Sequence, residues 1–143
     1  MNYILDTNVV SELGKQNPDH HVVQWVGSID PASVFLSVIT VGELTKGIEK
    51  LPDSRRKAKL ASWLEEDLLV RFGERILPLD TSVLLTWGQM TADLEKKGRP
   101  MPAIDSLLAA TAAQTGYTLV TRNTGDFESS EIPVVNPWEP PSA

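Results

Sequence analysis

The fold is decided by residues 3–8, Tyr3-Ile4-Leu5-Asp6-Thr7-Asn8, a short run of β-forming residues that ends directly on an aspartate. The run predicts a buried strand, and the residues that follow, up to Gly14, predict a short helix that begins where the strand ends. Asp6 is thereby placed at the carboxyl end of a strand. In open α/β sheets this edge is where ligands bind.

Short apolar runs of this kind alternate with longer helical segments along the chain. The predicted strands are 3–5, 33–36, 75–79, 117–120 and 132–135. The predicted helices are 7–13, a segment opened by Pro18 that contains 22–26, a segment capped by Ser37 or Thr40 that ends near 50, 54–72, about 80–94, and 103–115. This alternation is typical of α/β proteins with a short central parallel sheet sandwiched by α-helices. We predict one domain over residues 1–143, with an irregular tail over about 136–143.

Length and composition fit a single globular domain. The chain has 143 residues, of which 41% are hydrophobic and 22% charged, ordinary values for a folded domain. It has no cysteine, which excludes disulfides and thiolate metal sites. No basic leader or long apolar run is visible, so we expect a cytoplasmic protein that does not span a membrane.

The net charge of −6 argues against a nucleic-acid ligand, because phosphate contacts need lysine and arginine. Two considerations weaken this objection. Bound cations would neutralise part of the acid if carboxylates form a metal site. In addition, six of the thirteen basic residues lie between residues 46 and 59: Lys46, Lys50, Arg55, Arg56, Lys57 and Lys59. The alternative is that these are ordinary solvated helix charges.

Four acids fall where the predicted topology brings strand ends and helix starts together. They are Asp6, Glu43, Asp105 and Asp126. Clustered carboxylates repel one another, so such a group either has raised pKa values or holds a cation. Mg²⁺ prefers carboxylate oxygens, waters and phosphate. A site of this kind suits hydrolysis of a phosphodiester, because the ion lowers the pKa of a bound water.

Each of these acids also has a purely structural interpretation. Asp6 could cap the helix that follows it, and Thr40-Val41-Gly42-Glu43 matches a capping box. Asp105 could be favoured only by the dipole of its helix. Asp126 could be an ordinary loop residue. Taken singly the structural interpretation is favoured, and only the joint placement of the four acids favours a metal site.

Several motifs resemble those of the PIN-domain nucleases, in particular the VapC-type toxins of toxin–antitoxin pairs. The opening motif is Asp6-Thr7-Asn8 with the residues around it, and the second is Ser37–Leu44 with Gly47-Ile48 after it. The third is Pro102–Asp105, running into Ala109-Ala110. The closing segment comprises Thr121-Arg122-Asn123, Asp126-Phe127 and Asn136-Pro137-Trp138. All occur in order and cover nearly the whole chain.

The resemblance implies a PIN fold and an endoribonuclease that depends on Mg²⁺ or Mn²⁺. Asp6, Glu43 and Asp105 would be the core catalytic metal ligands, and Asp126 the fourth, although some members carry an aspartate where this chain has Asn123. Side chains at matching motif positions would orient the carboxylates or waters through hydrogen bonds: Thr7, Asn8, Thr121 and Asn123. Helix-cap or turn chemistry is an equally good interpretation of these four.

The resemblance further implies an RNA substrate, a cognate antitoxin protein and a homodimer. On this reading the basic stretch would follow the RNA backbone, through Lys46, Lys50, Arg55, Arg56 and Lys57. One alternative is a housekeeping PIN nuclease, which would use the same chemistry and differ in genomic context. A non-catalytic domain resembling a phospho-receiver is a weaker alternative, because such a domain needs adjacent acids after its first strand, and here Asp6 is followed by uncharged residues.

Overall fold

A parallel β-sheet forms the centre of the computed structural model, which describes residues 1–140. Within those residues it has five strands: β1 (Tyr3–Leu5), β2 (Val34–Ser37), β3 (Ile76–Leu77), β4 (Thr118–Val120) and β5 (Val134–Val135). Their order across the sheet is β3-β2-β1-β4-β5, and all neighbours are parallel. The central position therefore belongs to the strand that ends at Asp6.

Helices account for most of the remaining chain. In residues 1–140 the α-helices are α1 (Thr7–Leu13), α2 (His20–Gly27), α3 (Val38–Glu49), α4 (Arg55–Ser62), α5 (Leu69–Phe72), α6 (Thr81–Lys96) and α7 (Ala103–Thr115). A π-helical segment, Trp63–Leu68, joins α4 to α5. The helix predicted over 54–72 is thus one continuous helical segment with a widened middle. The predicted α/β fold is confirmed.

The two faces of the sheet carry two separate apolar cores, because side chains alternate along each strand. On one face Leu5 packs with Leu36, Val120 and residues of α1, α2, α3 and the 55–72 segment. On the other face Ile4 packs with Leu119 and with the small buried residues of α7. Helices therefore cover both faces, as the alternating pattern predicts.

Hydrogen-bonded caps set the helix starts and correct two details of the sequence interpretation. The buried Ser37 hydroxyl accepts a hydrogen bond from the Ile39 amide and begins α3. Thr40 is therefore inside the helix, and its proposed capping box with Glu43 is wrong. Similarly, Asp19 rather than Pro18 begins α2, because its carboxylate accepts from the His21 and Val22 amides.

The outer strands are shorter than predicted. The third is reduced to Ile76–Leu77 and the fifth to Val134–Val135, because an edge strand of a sheet is paired along one side only. A segment expected to be a simple loop forms a 3₁₀ turn, Thr124–Ser130, with Phe127 buried beneath it. Part of the predicted irregular tail, residues 141–143, lies outside the described residues. None of the described helices has the length and apolarity that a membrane span requires.

The end of α7 supplies a stability test. Gly116 has φ 75° and its amide closes the helix on Ala112. Because a β-carbon disfavours this left-handed conformation, Gly116→Ala should lower the free energy of unfolding by about 1 kcal/mol. Urea denaturation measures it. Gly47→Ala is the matched control: Gly47 lies inside α3 with open space around its α-carbon, so alanine should stabilise by about 0.5 kcal/mol. Equal effects would contradict this account.

Candidate active site

Two concave surfaces differ in chemistry. The larger, a groove of about 480 Å³, is mainly apolar and is lined by side chains such as Leu13, Trp63 and Phe72. The smaller is a polar cleft of about 300 Å³. It is lined by Asp6, Thr7, Asn8, Ser11, Glu43, Ile104, Asp105, Leu108 and Asn123. The groove is the larger of the two, but the acids whose pKa values are raised, Asp6 and Asp105, line the cleft. We therefore take the cleft as the candidate active site.

Asp6 lies at the centre of the cleft because β1 lies at the centre of the sheet. Its amide donates to the Val120 carbonyl, which continues the pairing of β1 with β4 by one residue. One carboxylate oxygen, Oδ1, accepts from the Thr7 amide at 2.7 Å, and the other, Oδ2, accepts from the Thr121 hydroxyl at 2.8 Å. Asp6 therefore also caps the start of α1, which is the structural role that the sequence suggested for it. Each oxygen still has acceptor capacity for a further ligand.

The Thr121 hydroxyl fixes the orientation of this carboxylate. It donates to Asp6 and accepts from the Asn8 side-chain amide at 3.2 Å and the Asn123 backbone amide at 3.1 Å. Thr121 is fully buried, so each of these partners compensates a polar group removed from water. Three of the four residues predicted to orient the site, Asn8, Thr121 and Asn123, are thus brought together around one hydroxyl.

Glu43 reaches the cleft from α3 and is held by Thr7. The Thr7 hydroxyl lies 2.6 Å from Glu43 Oε1 and 3.2 Å from the Thr40 hydroxyl. A 2.6 Å contact to a carboxylate is a short, charge-assisted hydrogen bond. Thr7 therefore aligns Glu43 beside Asp6, and the fourth predicted orienting residue has a partner as well.

Asp105 completes the line of acids from the first turn of α7. Burial raises its pKa, and the charges of Asp126 and Glu43 raise the pKa further. Burial also raises the pKa of Asp6; hydrogen bonds from Thr121 and Thr7 oppose this, and the charges of Glu43 and Asp105 add to it. The four acids therefore influence one another electrostatically, as clustered carboxylates should. Asp126 itself is exposed and does not line the cleft.

The cleft is not a closed metal cage. Among residues 1–140, no three His, Cys, Asp or Glu side chains are already arranged as a metal-binding group. This agrees with the donor chemistry of Mg²⁺, which is usually held by one or two carboxylates and completes its coordination with waters and substrate phosphate. Asp6 and Asp105 offer such a pair, with hard oxygen donors and repelling charges.

Three residues that line the cleft were not predicted from the sequence as site residues: Ser11, Ile104 and Leu108. Ser11 lies one helical turn after Thr7, and Leu108 lies three residues after Asp105, so helical spacing from these two motif residues could have found both. The start of α7 is held from α6, where the Trp87 indole donates to the Ser106 hydroxyl at 2.8 Å. No sequence motif signals that contact.

Fold and cleft together define an α/β protein with acidic residues gathered at the carboxyl edge of a parallel sheet. A family profile described as "PIN domain" matches this chain over residues 3–130. Because the match covers most of the sequence, the chain belongs to the PIN-domain family.

Known relatives extend the match over almost the full length. The chain is 39% identical to "Toxin FitB" of Neisseria gonorrhoeae, covering 94% of this chain and 97% of that protein. It is 35% identical to "VapC ribonuclease Y4jK" of Sinorhizobium fredii, covering 96% and 98%. It is also similar to a chain in the crystal structure of FitAcB from Neisseria gonorrhoeae, with a TM-score of 0.89, 39% identity and coverage of 95% and 98%.

The role of the Thr121 hydroxyl in this network can be tested by measuring the free energy of unfolding. Thr121→Val keeps the volume but removes the donor to Asp6 and the acceptor for Asn8 and Asn123. Because buried polar partners are left unsatisfied, we expect a loss of about 2 kcal/mol in the free energy of unfolding. Thr121→Ser keeps the hydroxyl and is the control, with a loss of about 1 kcal/mol for the missing methyl group. Chemical denaturation of both variants gives the comparison, and a valine variant as stable as the serine variant would contradict the assigned network.

The repulsion among the acids can be tested by measuring how the free energy of unfolding changes with pH. The pKa of Asp105 is raised on folding, so its protonated form stabilises the fold below about pH 4, and this stabilisation is lost as the pH rises through the raised pKa. In EDTA, Asp105→Asn should therefore be more stable than the wild type at neutral pH, by about 0.5 kcal/mol for a partly exposed charge. The difference should shrink in acid. Denaturation at both pH values measures it, and a variant less stable at neutral pH would refute the repulsion.

Proposed function

We propose that this protein is an endoribonuclease that hydrolyses RNA phosphodiester bonds and acts as the toxin of a type II toxin–antitoxin pair. The observation that carries the proposal is the convergence of Asp6, Glu43 and Asp105, from three separate segments, on one polar cleft. Similarity to a VapC ribonuclease over nearly the whole length supports the activity. Similarity to FitB supports the role as a toxin.

Mg²⁺ or Mn²⁺ is the cofactor that this donor set suits. Asp6 and Asp105 would hold the ion, with Glu43 and Asp126 adding negative charge beside it. A bound divalent ion lowers the pKa of a water and stabilises charge on a phosphoryl oxygen. The raised pKa values of Asp6 and Asp105 show that keeping these acids ionised side by side costs free energy. A bound divalent ion would offset that cost.

The chain's own residues orient these groups. Thr121 and the Thr7 amide hold the two oxygens of Asp6 in place, so the carboxylate is fixed before substrate arrives. Thr7 also turns Glu43 toward the cleft, where its remaining oxygen can accept a proton from an attacking water. Preorganised positioning of this kind avoids reorganisation during the reaction.

The basic stretch supplies part of the RNA-binding proposal. Lys46 and Lys50 are exposed at the end of α3 and Arg55 and Arg56 at the start of α4. Lys57 differs, because its ammonium group lies 3.3 Å from the Glu49 carbonyl and 3.5 Å from Asp53. We therefore assign Lys57 to joining α3 and α4. The other four remain the predicted contacts to the RNA backbone.

An antitoxin protein is the partner that this function requires. The similar protein FitB is named a toxin, and the acidic cleft offers an antitoxin a surface to cover. A guanidinium group would match the cleft in charge and in fork geometry. The expected homodimer stays a prediction.

Cleavage assays test the activity. The wild type should cut single-stranded RNA in Mg²⁺ or Mn²⁺ and lose activity in EDTA. Asp6→Asn and Asp105→Asn should each lower kcat/KM by about 100-fold or more, because an ion contributes several kcal/mol of charge stabilisation and each 1.4 kcal/mol is about tenfold in rate. Gel analysis of labelled RNA gives the rates.

Asp93→Asn is the matched control for these substitutions. Asp93 is exposed on α6 and pairs with Lys97 at 2.9 Å, outside the cleft, so the same change of carboxylate to amide should leave the rate within about twofold. Wild-type activity in Asp6→Asn or Asp105→Asn would refute the assignment of the cleft. Undiminished cleavage in EDTA would refute the metal.

A further inference from the structure

The closing motif Asn136-Pro137-Trp138 has no part in the acidic cleft, yet it is tied to the segment that carries Thr121. Strands β4 and β5 leave the sheet side by side, and the Thr121 amide donates to the Val135 carbonyl at 2.9 Å. Beyond that point Asn136 stabilises a turn, because its side-chain oxygen accepts from the Trp138 amide at 2.9 Å. The turn brings the Trp138 indole next to the segment after β4.

Arg122 is the residue that meets this indole. Its guanidinium carbon lies 5.1 Å from the centroid of the Trp138 ring, within the range of a cation–π contact. Trp138 in turn packs against the apolar core that contains Leu5. A long exposed side chain is thereby held against a rigid surface, and less conformational freedom is lost when it binds a ligand.

The backbone of Arg122 is fixed to the cleft. Its amide donates to the Asn8 side-chain oxygen at 3.3 Å, and its neighbours Thr121 and Asn123 both belong to the hydrogen-bond network of Asp6. Arg122 is exposed, and no carboxylate among residues 1–140 forms an ion pair with it. A cation that forms no ion pair within residues 1–140 is therefore carried on a backbone segment that is joined to the hydrogen-bond network of Asp6.

We propose that Arg122, held on Trp138, binds an RNA phosphate next to the one that is cut. This inference rests on the proposed ribonuclease function. Arginine stacked on an aromatic ring keeps its edge N–H donors free for a phosphate. Arg122 does not line the cleft itself, so its charge acts on a phosphate beside the one that the acids meet.

Cleavage kinetics of a fluorescein-labelled single-stranded RNA in Mg²⁺, measured over a range of KCl concentrations, test the proposal. A phosphate contact to a single strand contributes about 0.7 to the slope of log affinity against log salt, which corresponds to about fivefold at 0.1 M salt. Arg122→Gln should therefore raise KM about fivefold and lower the salt slope of KM by about 0.7, with kcat within about twofold.

Three further variants separate binding from a structural role. Arg122→Lys keeps the charge, so the salt slope should return to the wild-type value. Trp138→Phe keeps an aromatic face and should leave KM within about twofold, whereas Trp138→Leu should raise KM about threefold because the guanidinium is no longer held. A structural clip alone would lower stability without changing the salt slope, so thermal unfolding is measured in parallel.

Arg71→Gln is the matched control for charge. Arg71 is exposed and pairs with Asp67 at 3.0 Å on the wall of the apolar groove. Wild-type KM and salt slope in Arg122→Gln, a fall in kcat alone, or an equal effect of Arg71→Gln would each overturn the inference. A wild-type protein that does not cut RNA would overturn the proposed function itself, which is a different result.

Discussion

The hydrogen bond between the Thr121 hydroxyl and Asp6 joins the central strand β1 to its neighbour β4 at the edge of the sheet where the cleft lies. It depends on parallel pairing of β1 with β4, which places Leu5 opposite Val120 and the next residue of each strand side by side. Asp6, Asn8 and Asn123 then share one buried hydroxyl. Glu43 and Asp105 reach the same cleft from α3 and α7.

This arrangement balances stability against charge. A central carboxylate that is partly buried beside other acids opposes folding when it is ionised, which is the physical meaning of its raised pKa. Hydrogen bonds from Thr121 and the Thr7 amide reduce that cost but do not remove it. The cleft therefore stores electrostatic repulsion that a cation would relieve, and this property distinguishes it from the larger apolar groove.

The four motifs contribute different side chains and contacts to the cleft. The opening and second motifs meet directly, through the contact of Thr7 with Glu43. The third contributes Asp105 and the adjacent Ile104, on a helix whose start is supported by Trp87. The closing segment is divided: Thr121 and Asn123 act at the acids, Asp126 acts through its charge, and Trp138 supports Arg122. The order of the motifs along the chain does not predict which of these roles each motif has.

The sequence alone predicts the α/β class, the parallel sheet and the acids at its carboxyl edge, because alternation of apolar runs with helical segments leaves few other topologies. It could not determine which hydroxyl begins α3, since Ser37 and Thr40 are both good caps. Nor could it place Asp126 outside the cleft or Arg122 on Trp138. These depend on contacts between residues far apart in the chain, such as 6 with 121 and 122 with 138, which exist only once the sheet has formed.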